Sequence, residues 1–453
     1  MGELFGTDGI RGIANEHPMT VEMAVNIGRA AAFLFRKSKK KSSIIIGKDT
    51  RISGDMIEHA LVSGICSMGT DAYLAGIIPT PGVAFITSST DSTAGVVISA
   101  SHNPFYDNGI KIFKEDGQKL SDEIESEIEH LVQNGDIHTL CKSVRKPGTV
   151  YKIDDAVKRY SDFLVSTLPK SCSLQGVKIV IDCSNGATYK IAPEIFKKLG
   201  ADVETLFDSP DGENINENCG SQHPEALKKR VVETGADIGL AFDGDGDRLI
   251  AVNEKGDILT GDQILAICAK DMKLRGALKN NTVVSTIMSN MGLGTALKEM
   301  NIDHVKTKVG DRHVLEKMLS AGAVLGGEES GHMIFLDYHT TGDGILAGLR
   351  LVEAMSSQLK PLSELAEIIH LFPQVLINVE VTKKPDIREV PVIVNKIESV
   401  ESCMGEKGRV LVRYSGTQPL CRIMVEGPDI DEIRKHCQQI ADIVNQELGK
   451  CRL

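Results

Sequence analysis

Asp243-Gly-Asp-Gly-Asp-Arg248 sets three carboxylates at alternate positions with glycines between them, a spacing that lets all three turn toward one point. Like charges so close are unfavourable unless a cation neutralises them, and ligands offering only oxygen favour Mg²⁺ or Ca²⁺ over zinc. A second reactive stretch is Ser99-Ala-Ser-His-Asn-Pro104, in which Ser101 follows the apolar run Ala94–Ile98 on a loop. A serine able to carry phosphate, together with a triad able to hold magnesium, points to phosphoryl transfer.

Each motif also has a plainer reading. An acidic, glycine-rich stretch between two apolar runs is a common solvated turn. An EF-hand would use Glu254 as its twelfth residue, but Arg248 occupies the place of the required glycine and the flanks read as strands. Ser101 beside His102 would by itself be a loop hydrogen bond, and no G-x-S-x-G elbow is present to suggest a serine hydrolase. The company of further motifs decides between these readings. Arg413-Tyr-Ser-Gly-Thr-Gln-Pro419, followed by Arg422, has the parts of a phosphate cradle in Arg413, Ser415, Gly416, Thr417 and Arg422: forked cationic donors, hydroxyls and free backbone N–H groups. Gly326-Gly-Glu-Glu-Ser-Gly-His332 offers Glu328, Ser330 and His332 to the hydroxyls of a sugar.

The elements that must position these groups follow from periodicity. Three segments share a rhythm of apolar strand, glycine-containing turn, helix and second strand, the pattern of parallel α/β layers. The first runs from Ile44–Ile46 into a helix begun by Ser53 and reaching Met68; the second has strands at 177–181 and 202–207 around a helix at 189–199. The third has strands at 282–287 and 302–308 around a helix ending near Met300. An earlier helix is predicted from Thr20, as N-cap, to Lys37. From Val375 onward the order is strand, helix (390–400), two strands (409–413 and 422–425) and a helix from Asp431, a small α+β domain reached through a candidate hinge at Leu371-Phe-Pro373. The resulting division is 1–155 with the serine loop, 156–255 with the metal loop, 256–370 with the sugar loop and 371–453 with the phosphate cradle, arranged around a central cleft.

Length and charge narrow the function classes. At 453 residues the chain exceeds one hydrophobic core. A net charge of -11 repels a polyanion, and 4 % aromatics with no Trp leave no base-stacking surface, so nucleic acid is not expected as a partner. Ten cysteines without a C-x-x-C pair read as reduced thiols rather than a zinc site. The opening Met1-Gly-Glu-Leu-Phe-Gly6 has no leader pattern and no apolar run reaches spanning length; a cytoplasmic protein without a membrane partner is expected. The oligomeric state is left open, a homodimer included.

Taken together, the four polar loops resemble the α-D-phosphohexomutase family over nearly the whole chain. Phe5–Gly12, Ile46–Gly54, Ser99–Phe113, Asp211-Gly-Glu-Asn-Ile-Asn216 and Val309-Gly-Asp-Arg312 are most similar to the subgroup that acts on glucosamine phosphates. The resemblance implies four domains in a heart shape, a phosphorylated Ser101, and one Mg²⁺ on Asp243, Asp245, Asp247 and a phosphoryl oxygen of Ser101. It further implies that Arg11 and Lys111 flank the transferring group, that Lys111 or His332 does acid/base work, that Arg248, Glu328, Ser330 and His332 bind the sugar, and that the C-terminal cradle holds the other phosphate. The implied reaction interconverts glucosamine 6-phosphate and glucosamine 1-phosphate through a bisphosphate, primed by an activating hexose bisphosphate and feeding UDP-N-acetylglucosamine and cell-wall precursors. Gln418 stands where the family usually has Glu, and Glu329 where the subgroup usually has Gln. The competing readings are the same reaction on glucose or mannose phosphates, a phosphatase with Asp243 as nucleophile, and a sugar-phosphate sensor.

Overall fold

The computed structural model describes residues 4–6, 8–36, 42–135, 137–140, 144–169, 172–415 and 419–449. Residues up to 289 together with 300–368 form one compact unit, and 290–299 together with the chain from 369 form a second.

β-Branched runs become strands, and the glycine-containing turns after them open helices. In the first sheet, β1 (Phe5–Gly6), β2 (Gly9–Ile13), β3 (Ser43–Lys48), β4 (Asp71–Ile77), β5 (Ala94–Ile98), β6 (Asp107–Lys114) and β7 (Val150–Lys152) lie in the order β1-β2-β6-β5-β3-β4-β7. The centre is parallel, β3 pairing with both β4 and β5, whereas β6 returns antiparallel to β5. That return makes the loop 99–106 a reversal at the carboxyl end of a buried strand, where α/β sheets present their ligands.

The second sheet has β8 (Lys178–Asp182), β9 (Asp202–Leu206), β10 (Ile238–Phe242), β11 (Leu249–Asn253) and β12 (Ile258–Leu259) in the order β12-β11-β10-β8-β9. The third has β13 (Thr282–Thr286), β14 (Asp303–Thr307), β15 (Leu325–Gly327) and β16 (Met333–Phe335) in the order β14-β13-β15-β16. The pairs β3/β4, β8/β9 and β13/β14 are all parallel, so the repeated strand–helix–strand rhythm is real. The fourth sheet, β17 (Gln374–Glu380), β18 (Arg409–Tyr414) and β19 (Leu420–Glu426), is antiparallel with β19 central, and helices 391–404 and 430–448 complete its core.

Local predictions survive with informative shifts. Thr20 does cap helix Val21–Leu34, accepting from the Met23 N–H at 3.2 Å, but the helix stops short of the basic run, which lies outside the described residues. This helix crosses Gly54–Ser67 closely: a Cβ on Gly28 would stand 2.5 Å from the Leu61 carbonyl oxygen. Ser53 precedes the second helix without capping it; its hydroxyl instead accepts from Asn108 Nδ2 at 2.8 Å. The last helix begins at Ile430, because Asp429 rather than Asp431 accepts from its free N–H groups. Phe372, within the expected hinge, exchanges two hydrogen bonds with Asn290, at 2.9 and 3.0 Å, and both residues belong to the second unit.

Candidate active site

The turn between β10 and β11 carries Asp243, Asp245 and Asp247, and all three are buried. Gly246 takes φ +71°, and a Cβ on Gly244 would stand 2.5 Å from the Ser101 carbonyl oxygen, so glycine both shapes the turn and admits the serine loop. Ser101 itself is fully buried at φ +54°, a backbone region that non-glycine residues seldom occupy. Its hydroxyl donates to Asp243 Oδ2 at 2.5 Å. Residues 142 apart in the chain thus meet at the Ser101 oxygen.

Cations from the first sheet face the triad. Lys111, on β6, is 2 % exposed and places its Nζ 2.7 Å from Asp245 Oδ2, 3.0 Å from Asp8 Oδ2 and 3.5 Å from Asp247 Oδ2. Burial works against its charge, but Asp245, Asp8 and Asp247 outweigh burial and raise its pKa, so the lysine stays protonated. Arg11, on β2, pairs with Asp8 and reaches the Ala100 carbonyl at 3.4 Å. Arg248 donates its backbone N–H to Asp243 Oδ1 at 3.2 Å and bridges His332 by main-chain pairing.

The three carboxyls respond differently to this crowding. Burial and the neighbouring Asp247 and Asp245 push Asp243 well up. Burial would raise Asp247 too, yet Lys111 and His332 pull it well below the usual range. One oxygen from each of the three lies within 4.8 Å of the others, and Asp245 Oδ1 and Asp247 Oδ1 are buried without a hydrogen-bond partner. An all-oxygen set with orphaned lone pairs suits a hard divalent cation, and these residues fit Mg²⁺.

His332 ends the sugar-loop candidate. Its Nε2 accepts from the Gly342 N–H at 3.0 Å and its Nδ1 stands 3.7 Å from Asp247 Oδ2. Burial disfavours the charged ring and Asp247 and Asp311 favour it more strongly. An Nε2–H would nevertheless meet the Gly342 N–H head-on, so the ring is neutral here with its proton on Nδ1. Glu328 accepts from the Gly310 N–H at 3.0 Å, and Ser330 is half-buried in the same turn.

Arg413 and Arg422 are directly opposite one another on β18 and β19. Ser415 is buried and its carbonyl accepts from Lys384 Nζ at 2.8 Å, while Gly416, Thr417 and Gln418 lie outside the described residues.

Sequence reading passed over several charges in the first unit. Asp8 joins Arg11, Lys111 and Lys119; Lys119 also pairs with Asp311. Thr80 donates to Asp245 Oδ2 at 2.6 Å. Asp8 and Asp311 sit inside motifs that the sequence singled out, but nothing local shows that they would share a lysine.

Comparison with known proteins agrees with this architecture. The chain matches the phosphoglucomutase/phosphomannomutase alpha/beta/alpha domains I, II and III at residues 2–138, 158–256 and 260–372, and the C-terminal domain at 376–443. It is 60 % identical to the phosphoglucosamine mutase of Syntrophus aciditrophicus, over 99 % of this chain and 100 % of that one, and 57 % identical to that of Syntrophobacter fumaroxidans, over the same shares. Among solved structures, a phosphoglucomutase/phosphomannomutase family protein from Burkholderia thailandensis superposes with a TM-score of 0.81 at 24 % identity, covering 98 % of this chain and 99 % of that one. The N-acetylphosphoglucosamine mutase of Aspergillus fumigatus, solved with GlcNAc-6P and magnesium, gives 0.68 at 16 % identity, covering 98 % and 96 %. With all four domains matched in order and relatives more than half identical along its length, the chain belongs to the phosphoglucomutase/phosphomannomutase family of α-D-phosphohexomutases.

Proposed function

We propose that the chain interconverts glucosamine 6-phosphate and glucosamine 1-phosphate through a phosphoserine at Ser101 and a sugar bisphosphate. The observation that carries this reading is the Ser101 hydroxyl, 2.5 Å from Asp243 in a pocket of paired charges that excludes water. The choice of amino sugar is supported by the relatives named phosphoglucosamine mutase, identical at more than half of their positions.

Phospho-Ser101 gives its phosphoryl group to a sugar hydroxyl: the Ser101 Oγ–P bond breaks, a sugar O–P bond forms, and the hydroxyl proton leaves. The bisphosphate turns over, and the original phosphate passes to Ser101 by the same step reversed. Asp243, Asp245 and Asp247 would hold Mg²⁺, which when bound supplies positive charge to the phosphoryl oxygens. Lys111, kept charged by its carboxylates, adds fixed positive charge and donates to the departing Ser101 oxygen; Arg11 is the second such cation. His332, neutral in this arrangement, accepts the sugar hydroxyl's proton once substrate displaces the Gly342 N–H. Arg248, Glu328 and Ser330 orient the sugar. Arg413 and Arg422, with Ser415, Gly416 and Thr417, hold the phosphate that is not being transferred; two guanidinium groups at one cross-strand position can offer forked, charge-assisted donors to a dianion.

Product analysis tests the reading. Incubation with glucosamine 6-phosphate, Mg²⁺ and a trace of hexose bisphosphate should yield glucosamine 1-phosphate, with kcat/KM above that for glucose or mannose 6-phosphate. Free phosphate as the main product, or equal preference for the mannose substrate, would overturn it.

A further inference from the structure

Two stretches conspicuous in the sequence, Ile46–Gly54 and Asp211–Asn216, have no part in the transfer chemistry just described. Both nevertheless end on the loop that carries Ser101. Arg51, from the first, is buried and has five N–H donors, and all five are engaged. Nε donates to Asp49 Oδ2 at 2.9 Å; Nη1 donates to Asp107 O at 3.0 Å and to Pro104 O; Nη2 donates to Ser101 O at 3.0 Å and Asn103 O at 2.8 Å. Asn216, from the second, sends Nδ2 to the same two carbonyls, Ser101 O and Asn103 O, at 2.9 Å each. Beneath them Asp49 accepts from Ser99 Oγ at 2.6 Å, and Ser99 Oγ accepts from the Ser101 N–H at 2.9 Å.

This convergence matters because Ser101 sits in a backbone region that serine does not favour, and such a conformation persists only where its surroundings over-determine it. We propose that Arg51 and Asn216 form a two-sided clamp on the carbonyls of Ser101 and Asn103 that aims the Ser101 oxygen at the transfer position. They are positioning residues, acting through the loop, and the inference rests on the phosphoserine role assigned above. Lysine cannot replace Arg51: it has three donors and no planar fork, so at least two of the five hydrogen bonds are lost.

The test compares wild type with R51K, N216A and the double variant, each checked for folding by circular dichroism. Readouts are kcat, KM for glucosamine 6-phosphate, and Ser101 phosphate occupancy by peptide mass spectrometry after equilibration with hexose bisphosphate. For a misplacement near 1 Å, kcat per phosphorylated molecule should fall about 100-fold in R51K and about tenfold in N216A, with KM within about threefold of wild type. Because both side chains grip the same carbonyls, the double variant should lose less than the product of the single losses. A folded R51K or N216A with kcat within about twofold of wild type overturns the clamp, as does a loss explained wholly by the unfolded fraction. Should R51K fail to fold, N216A decides alone, since it removes no buried charge. Wild type without phosphate on Ser101 would instead sink the mutase reading, which keeps the two failures apart.

Discussion

Around Ser101, side chains from the first two sheets meet one another at 2.5 to 3.5 Å almost without solvent. On the C-terminal hairpin, by contrast, Arg413 and Arg422 stand opposite each other by the register of one strand pair. The first region balances its charges internally: Lys111 and Lys119 are shared among Asp8, Asp245, Asp247 and Asp311. The second brings two arginines to one cross-strand position. A site that must act on a reacting phosphoryl group needs fixed, preorganised neighbours, whereas one that grips a spectator phosphate needs only positive charge in the right register.

Removing the oxygen proposed to carry phosphate is the severest way to break this comparison. Ser101→Ala should lower kcat by at least about 10⁴-fold while leaving the circular dichroism spectrum unchanged, since a nucleophile acts as a unit with its surroundings. Peptide mass spectrometry should find no phosphate on the loop of that variant. Retained turnover would move the chemistry elsewhere.

Asp245→Asn comes next. Asp245 pairs with Lys111 and accepts from Thr80, and it would also hold the proposed cation, so the amide should depress kcat by about 10²–10³-fold and weaken Mg²⁺ binding by calorimetry. Chelation should abolish activity of the wild type, and full activity in chelator would remove the metal role.

Arg413→Ala sharpens the other side. Loss of a charge-assisted hydrogen bond of about 1.5–3 kcal/mol should raise KM by roughly 10- to 150-fold and leave Ser101 phosphate occupancy as in wild type. Unchanged KM in that variant would mean that the opposed arginines do not hold phosphate.

The smallest effect isolates burial from pairing. Asp182, buried in the second sheet, has among the described residues only the Ser184 and Gly220 N–H groups as donors, and burial pushes its carboxyl up to about 7 against them. A folded pKa raised above the unfolded value means that the folded state binds the proton more tightly. Stability from this group is therefore complete below about pH 4 and lost as pH rises through 7. Asp182→Asn should remove that slope, so that wild type loses melting temperature relative to the variant between pH 4 and 7. Parallel profiles for the two proteins would show that Asp182 does not titrate there.

Much of this molecule was legible in its sequence where the signal is local. The Asp243–Asp247 turn, the Ser101 loop and the placing of Arg413 and Arg422 on adjacent strands follow from contiguous motifs and apolar runs, while the direct opposition of the two arginines came from the register. The three parallel strand–helix–strand units were visible as apolar runs separated by glycine turns. Harder to see were helix starts that depend on which side chain finds a free N–H: Ser53 turned to Asn108, and Asp429 displaced Asp431. The tie between Phe372 and Asn290 joins residues 82 apart and leaves no trace in the Leu371-Phe-Pro373 stretch that reads as a hinge.

By itself the sequence determined which chemical groups were available and which of them were neighbours within a turn, because side-chain type and short-range backbone preference are local properties. Only tertiary structure decided which charges neutralise which. Asp243 and Asp247 belong to one turn, yet burial and its carboxylate neighbours raise the first while Lys111 and His332 lower the second. Coulomb energy depends on separation and on how much water lies between, and both are set when distant strands close around the same few ångströms.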